Sequence, residues 1–413
     1  VSTPTYRVVV YFGSSTTGAG TFTLDDSTRG LLDSTSYLLG GDTGTDVASD
    51  AISIQIQRGR TSQLFAAFQA GTATVQLNNE DRDYDPLYSG SPYANNLRPG
   101  KRVTIYADTV VIFDGRISDW QLTYDRSGRS IATMQCEDAL AALARKQFAA
   151  WTATASQTAG PRLTDVLNRS EVSWSGGARS LSTGVSVLQG DSVTAGTNVL
   201  TYTQTVARSD AGAFFASRDG VLTFKDRASL FTAPAVAQFD DTGTNTPFTS
   251  VAVTSGSDTF YTRVQVTRAG GTAQAYQTAS ASTDDVVSLT LDGLLQNSDA
   301  QALEMATYLA NIYATGEARV SQIGTAIDTQ ALSTSEIAQL LAVELADLVG
   351  VTWTPNKVGT AIVQNGIVDG IRHDIFPGRH QVTLTLGKSD QRGPFTLDSA
   401  TNGILDGTTV LVF

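Results

Sequence analysis

Hydrophobic and polar residues alternate with a period of two over much of the first third of the chain. Ala51–Arg58 (AISIQIQR) and Thr72–Leu77 place apolar side chains at every second position, as half-buried strands do. Tyr6–Phe12, Arg102–Tyr106, Val110–Phe113, Ile117–Tyr124 and Ser130–Gln135 continue the series. Ala107-Asp108-Thr109 and Asp125-Arg126-Ser127-Gly128 read as turns between them. The pattern predicts a twisted antiparallel sheet or small barrel over residues 1–150.

The period then changes. Glu137–Phe148 carries an apolar stripe of Ala139, Leu140, Leu143 and Ala144, with acids at its start and Arg145 and Lys146 at its end. That is a helix whose charges suit its dipole. Thr152–Gly160 reads as a linker, Pro161–Leu167 as a short helix, and Asn198–Phe215 as a helix followed by a strand. Asp219-Gly220 marks a hairpin, so residues 151–235 form a small α+β domain. Strands return near Phe248 and are clearest at Val264–Val266, Val286–Leu291, Val349–Trp353, Ala361–Asp369 and His380–Leu386. Two helices interrupt them, signed by capping-box spacing at Ser298/Gln301 and Ser333/Glu336. The fold class expected is mainly β with α+β elements. It has two β-barrel-like domains (1–150 and 236–390), a small α+β domain between them, and an arm over 391–413.

Gly71–Trp120 stands out, because it runs strand, turn-rich loop, strand, strand and holds no catalytic residue set. Asp81, Asp83 and Asp85 alternate like the start of an EF-hand loop. Pro86 stands where that loop needs glycine and Pro92 where it needs glutamate, so an acidic turn is the better reading. Pro86, Pro92 and Pro99 restrict the backbone, and Tyr84, Tyr88 and Tyr93 supply amphipathic contact area. A stiff loop loses less entropy on docking. Asp81–Pro99 is therefore expected at a subunit or tube contact, with a self-packed Ω-loop as the alternative.

Composition narrows the function classes. Hydrophobic residues make up 41% and charged residues 16%, which suits a large folded protein with extensive buried surface. Lys and Arg number 28 against 40 Asp and Glu, a net charge of -12, so a stable grip on phosphates is not expected. Such a balance suits a channel through which DNA slides without sticking. Cys136 is the only cysteine, which excludes an intrachain disulfide and a cysteine-based zinc site. No basic-then-apolar leader opens the chain, and no apolar run approaches the ~20 residues of a membrane span. The expectation is a soluble protein made in a reducing cytoplasm.

Candidate chemistry is sparse. His373 and His380 are the only histidines; His373 precedes Asp374, but neither a nucleophile elbow nor HExxH accompanies them. Glu80, Asp114 and Asp119 are candidates for a carboxylate pair only by elimination. Trp120, Trp151, Trp174 and Trp353 could stack on sugars, but their scatter favours core packing. Neither a catalytic set nor a cofactor or metal site is expected.

A repeat is visible near the two ends. Phe22–Leu38 (FTLDDSTRGLLDSTSYL) and Phe395–Leu411 (FTLDSATNGILDGTTVL) agree at nine of their first fourteen positions. The shared Phe22, Leu24 and Asp25, with Phe395, Leu397 and Asp398, belong either to two docking arms or to two similar surface turns.

Four segments carry a family resemblance: Arg58-Gly59-Arg60, GTATVQLNNEDRDYDPL, SPYANNLRPGKRVTIYA and FDGRISDW. They resemble the minor tail proteins of long-tailed phages infecting actinobacteria. Gly212–Arg227 looks like that family's second segment, and Asp347–Trp353 with Ile367–Leu386 like its third. The order of segments is similar to that of tail-tip hub proteins related to the baseplate hub. The resemblance implies a homotrimer in which two similar β domains per subunit form a ring of six. It also implies contact with other tail-tip proteins, the distal tail ring and the tape measure protein, with DNA passing through only on ejection. The location implied is the virion's tail tip, after assembly in the host cytoplasm. The alternatives are a hexameric distal tail ring protein, a virion cell-wall hydrolase and a glycan-binding receptor protein.

Overall fold

The computed structural model describes residues 4–12, 20–21, 37–38, 44–60, 67–174, 177–232, 234–255, 260–278, 286–314, 318–327 and 332–389. Among these, fourteen strands join one sheet. Ten of them make two copies of a single five-strand pattern. The first unit consists of β1 (Ala51–Gly59), β2 (Gln69–Asn78), β3 (Arg102–Ala107), β4 (Val110–Tyr124) and β5 (Ser130–Glu137). β1 pairs with β2, β2 with β5, β5 with β4 and β4 with β3, all antiparallel. The second unit consists of β6 (Ser250–Thr254), β7 (Arg319–Ala326), β8 (Leu348–Trp353), β9 (Ile362–Phe376) and β10 (Arg379–Lys388). Its pairings are the same: β6 with β7, β7 with β10, β10 with β9, β9 with β8.

The registers agree around the middle of the two long strands, although the β3–β4 bulge at Ile105/Tyr106 has no counterpart between β8 and β9. β4 and β9 are each 15 residues long. The first half of each pairs with the strand before it, and the second half with the strand after it. Arg116 opposes Arg102 as Ile367 opposes Leu348. Ile117 opposes Cys136 as Val368 opposes Leu386. One residue further on, both strands bulge, at Ser118 and at Asp369. A bulge bends its strand and sharpens the local twist, which lets one long strand serve two partners.

Alternation explains why these segments form strands. Ala73, Val75 and Leu77 of β2 and Ala132, Met134 and Cys136 of β5 are buried, while their neighbours are half-buried or exposed. Val382, Leu384 and Leu386 repeat this on β10. Burial of this kind stabilises by ~25 cal/mol per Å² of apolar surface.

Two β-barrel-like domains were expected, and among the described residues the strands of both regions share one sheet. Among the described residues the sheet follows an open path from Thr246–Pro247 to Thr45–Asp46. The two units meet inside it, because β1 pairs antiparallel with β9 from Gly59↔Gly370 to Ile54↔Ile375. Strand β1 of one unit thus completes the free side of β9 in the other. Gly59 sits at this crossing with φ +106°, and a Cβ there would lie 2.2 Å from the Asp369 carbonyl oxygen. Only glycine fits such an approach.

The small α+β region follows β5. Its helices are Ala159–Asn168 and Val199–Ser209, and its hairpin is Ala213–Ala216 with Leu222–Lys225. Residues 152–160 are not a linker: they hold the short strands Trp151–Ala153 and Gln157–Thr158 and begin the next helix. The helix expected over Glu137–Phe148 is confined to Ala139–Ala144, since Glu137 still belongs to β5 and Asp138 caps the helix by accepting from the Leu140 amide. Between β6 and β7 lies an insertion. There Arg263–Arg268 pairs with Gln274–Gln277 and Ser288–Leu294, and helix Asp299–Tyr313 buries Met305 and Leu309 against Val264 and Val266.

Candidate assembly interface

The Asp81–Pro99 loop joins β2 to β3. Amides of Arg82, Asp85, Tyr88, Ser91 and Ala94 each donate to a carbonyl three residues back, so the loop is a succession of tight turns at three-residue spacing. Pro86 and Pro92 fall just after two of these donors, where no amide is needed. Stiffness therefore comes from the turn ladder as well as from the prolines.

The loop's side chains divide by direction. Tyr84 is 1% exposed and donates to Asp50 Oδ2 at 2.6 Å. Its ring stacks with Tyr93 and Trp120, and Tyr93 in turn stacks on Phe12. Burial, with the hydrogen bond to Asp50, pushes the Tyr84 phenol far up. Asp85 is fully buried and accepts from Arg82 and from the Leu87 amide. Burial would raise its carboxyl, but the Leu87 amide and the Arg82 guanidinium outweigh that and hold it low. Tyr84 and Asp85 thus offer no contact surface; they are the loop's own core. Asp81, Pro86, Tyr88, Pro92 and Pro99 face outward, as does Leu87 at 87% exposure, while Asp83 and Tyr93 are half-buried. Phe22, Leu24, Asp25, Phe395, Leu397 and Asp398 lie outside the described residues, as does the rest of the terminal repeat apart from Tyr37 and Leu38.

Most of the other sequence candidates are held in structural contacts. Asp374 pairs with Arg372 at 2.7 Å, so no His373–Asp374 pair forms. His373 Nδ1 lies 3.0 Å from His380 Nε2, and His380 Nδ1 lies 2.9 Å from the Tyr6 hydroxyl. Both rings are buried. Asp114 binds Arg102 and accepts from Thr104, while Glu80 and Asp119 are exposed. Burial pushes the Cys136 thiol up, out of the reactive range. Trp151 packs with Phe148 and Tyr202, and Trp353 is buried. Among the described residues no three of His, Cys, Asp or Glu converge as metal ligands do.

The seam between the units holds residues that the sequence did not single out as a site. Arg58, buried in β1, pairs with Glu344 and donates to the Ala216 carbonyl at 2.9 Å. Glu344 also accepts from the Arg218 amide at 2.8 Å. Arg60 makes a two-nitrogen contact with Asp369, the bulged residue of β9, at 3.0 and 2.8 Å. These contacts tie β1, the small α+β region and the second unit together. Their partners lie up to 309 positions apart, and no local spacing announces them.

The fold has solved counterparts. The tail protein from Neisseria meningitidis MC58 aligns with 92% of this chain and 96% of its own, at a TM-score of 0.58 and 12% identity. The 43 kDa tail protein of prophage MuSo2 from Shewanella oneidensis aligns with 85% of this chain and 97% of its own, at a TM-score of 0.55 and 13% identity. At such identities the likeness is one of fold. No family model matches the chain. No curated protein matches it by sequence.

Proposed function

We propose that this chain is a structural protein of a phage tail tip, a hub whose copies form a ring between the tail tube and the host-facing tip. It acts through geometry and buried interfaces rather than turnover. The observation that carries the reading is the five-strand unit occurring twice in one chain with the same strand order and the same bulge in its long strand. Three copies of a chain with two such units present six similar units around an axis, which lets a trimer meet a six-fold tube. The fold shared with two tail proteins supports the same reading. The acidic balance of -12 suits a lumen that DNA traverses without binding.

Cryo-electron microscopy of assembled tails counts the copies. Three around the axis is the expected result. Six would move the chain to the distal tail ring, and cleared zones on a host cell-wall zymogram would make it a hydrolase.

A further inference from the structure

We propose that β6 of one copy adds as a strand to the open side of β4 in a second copy of this chain, along Gln121–Tyr124. The inference rests on the ring reading above and specifies its joint. The template is inside the chain. β1 has two partners, β2 and β9, whereas its counterpart β6 has only β7 among the described residues. The second half of β9 lies between β10 and β1, whereas the second half of β4 has only β5 among the described residues. The side of each unit used within the chain is the side that its counterpart leaves open.

The side chains match this. At the internal seam Ile371, His373 and Ile375 are buried on one face of β9. The shared register places Trp120, Leu122 and Tyr124 of β4 at the same positions. Tyr124 remains 54% exposed, and Val253 of β6 is 45% exposed. β6 reads SVAVT, with neither charge nor proline. The two ends of the sheet, by contrast, carry Pro247 and Asp46, the residues that usually keep an edge from pairing. An uncharged, exposed edge in a sheet whose two ends are protected in this way is one kept for a partner. Transferring the Ile54↔Ile375 and Gln55↔Asp374 pairs places Val251 opposite Tyr124 and Ala252 opposite Thr123 of the second copy.

Cysteine pairing across copies tests this. Opposed residues of an antiparallel pair have Cα atoms about 4.5–5.5 Å apart, within disulfide range. Assembled full-length Val251→Cys/Tyr124→Cys protein should give covalent oligomers on mild oxidation. Val251→Cys/Thr123→Cys should not, because its side chains point to opposite faces. An equimolar mixture of the single variants should stop at dimers. Val253→Asp should keep the monomer's melting behaviour and weaken self-association at least tenfold. Three copies in the tail with no cross-linking, or self-association indifferent to Val253→Asp, would overturn this joint and leave the hub standing. A chain present in the tail as isolated single copies would overturn both.

Discussion

The two five-strand units bridge their second and third strands in different ways. In the first unit the bridge is the Asp81–Pro99 ladder of turns, folded around Tyr84 and Asp85. In the second it contains helix Thr334–Ala342, which opens with a complete Ser333/Glu336 capping box and buries Ile337, Leu340 and Leu341. The strands on either side keep the same pairs and the same bulge. A sheet's register is thus held by its buried alternation and its bulges, and a connection can be replaced without disturbing it.

The largest expected effect comes from attacking the seam that joins the units. Glu344→Ala leaves Arg58 buried without its carboxylate and should cost about 3–5 kcal/mol in urea unfolding. A loss below about 1 kcal/mol would mean that the Ala216 carbonyl alone satisfies Arg58. Tyr84→Ala should cost about 3 kcal/mol, because it empties the first unit's bridge of its central ring. Limited proteolysis should then cut within residues 81–99 while the second unit stays protected.

The seam should also respond to acid. Burial, with His380, Arg58 and Arg218 nearby, holds the His373 imidazole well below its ordinary value of 6.5. The folded chain therefore keeps this ring neutral, while the unfolded chain takes up a proton below that pH. Stability present above pH 6.5 should fall as pH drops, by at most ~1.4 kcal/mol per pH unit from this group. His373→Gln should flatten that slope; an unchanged slope would assign it elsewhere. Ser333→Ala should cost about 1 kcal/mol through the lost helix cap, with no effect on the first unit's bridge. The smallest effect belongs to Tyr88→Ala, an exposed ring set over Arg82, whose stability should stay within about 0.5 kcal/mol of the parent.

Much of the sheet could be read from the sequence because its signal is local. The alternation in AISIQIQR and in Thr72–Leu77 predicted β1 and β2, and the spacing of Ser333 and Glu336 predicted the capped helix. The duplication of the units could not be read this way. Its most visible sequence match, Asp114-Gly115 with Asp369-Gly370, lies four residues out of step with the pairing that equates Arg116 with Ile367. The repeat the sequence did show lies, but for Tyr37 and Leu38, outside the described residues. In the turn-rich loop, proline and tyrosine content signalled a stiff surface element. Composition could not tell that Tyr84 turns inward while Tyr88 stays out, since that depends on Asp50, 34 positions away.

Because β1 and β9 belong to one polypeptide, chain connectivity sets their effective concentration and dilution does not lower it. A joint between copies has no such protection and weakens as free subunits become scarce. A ring that alternates the two kinds of joint would part at every second one, releasing whole subunits with their internal seams closed. Assembly order in the cell would then follow subunit supply, and a ring once closed would hold because each copy is retained at two dilutable joints at once.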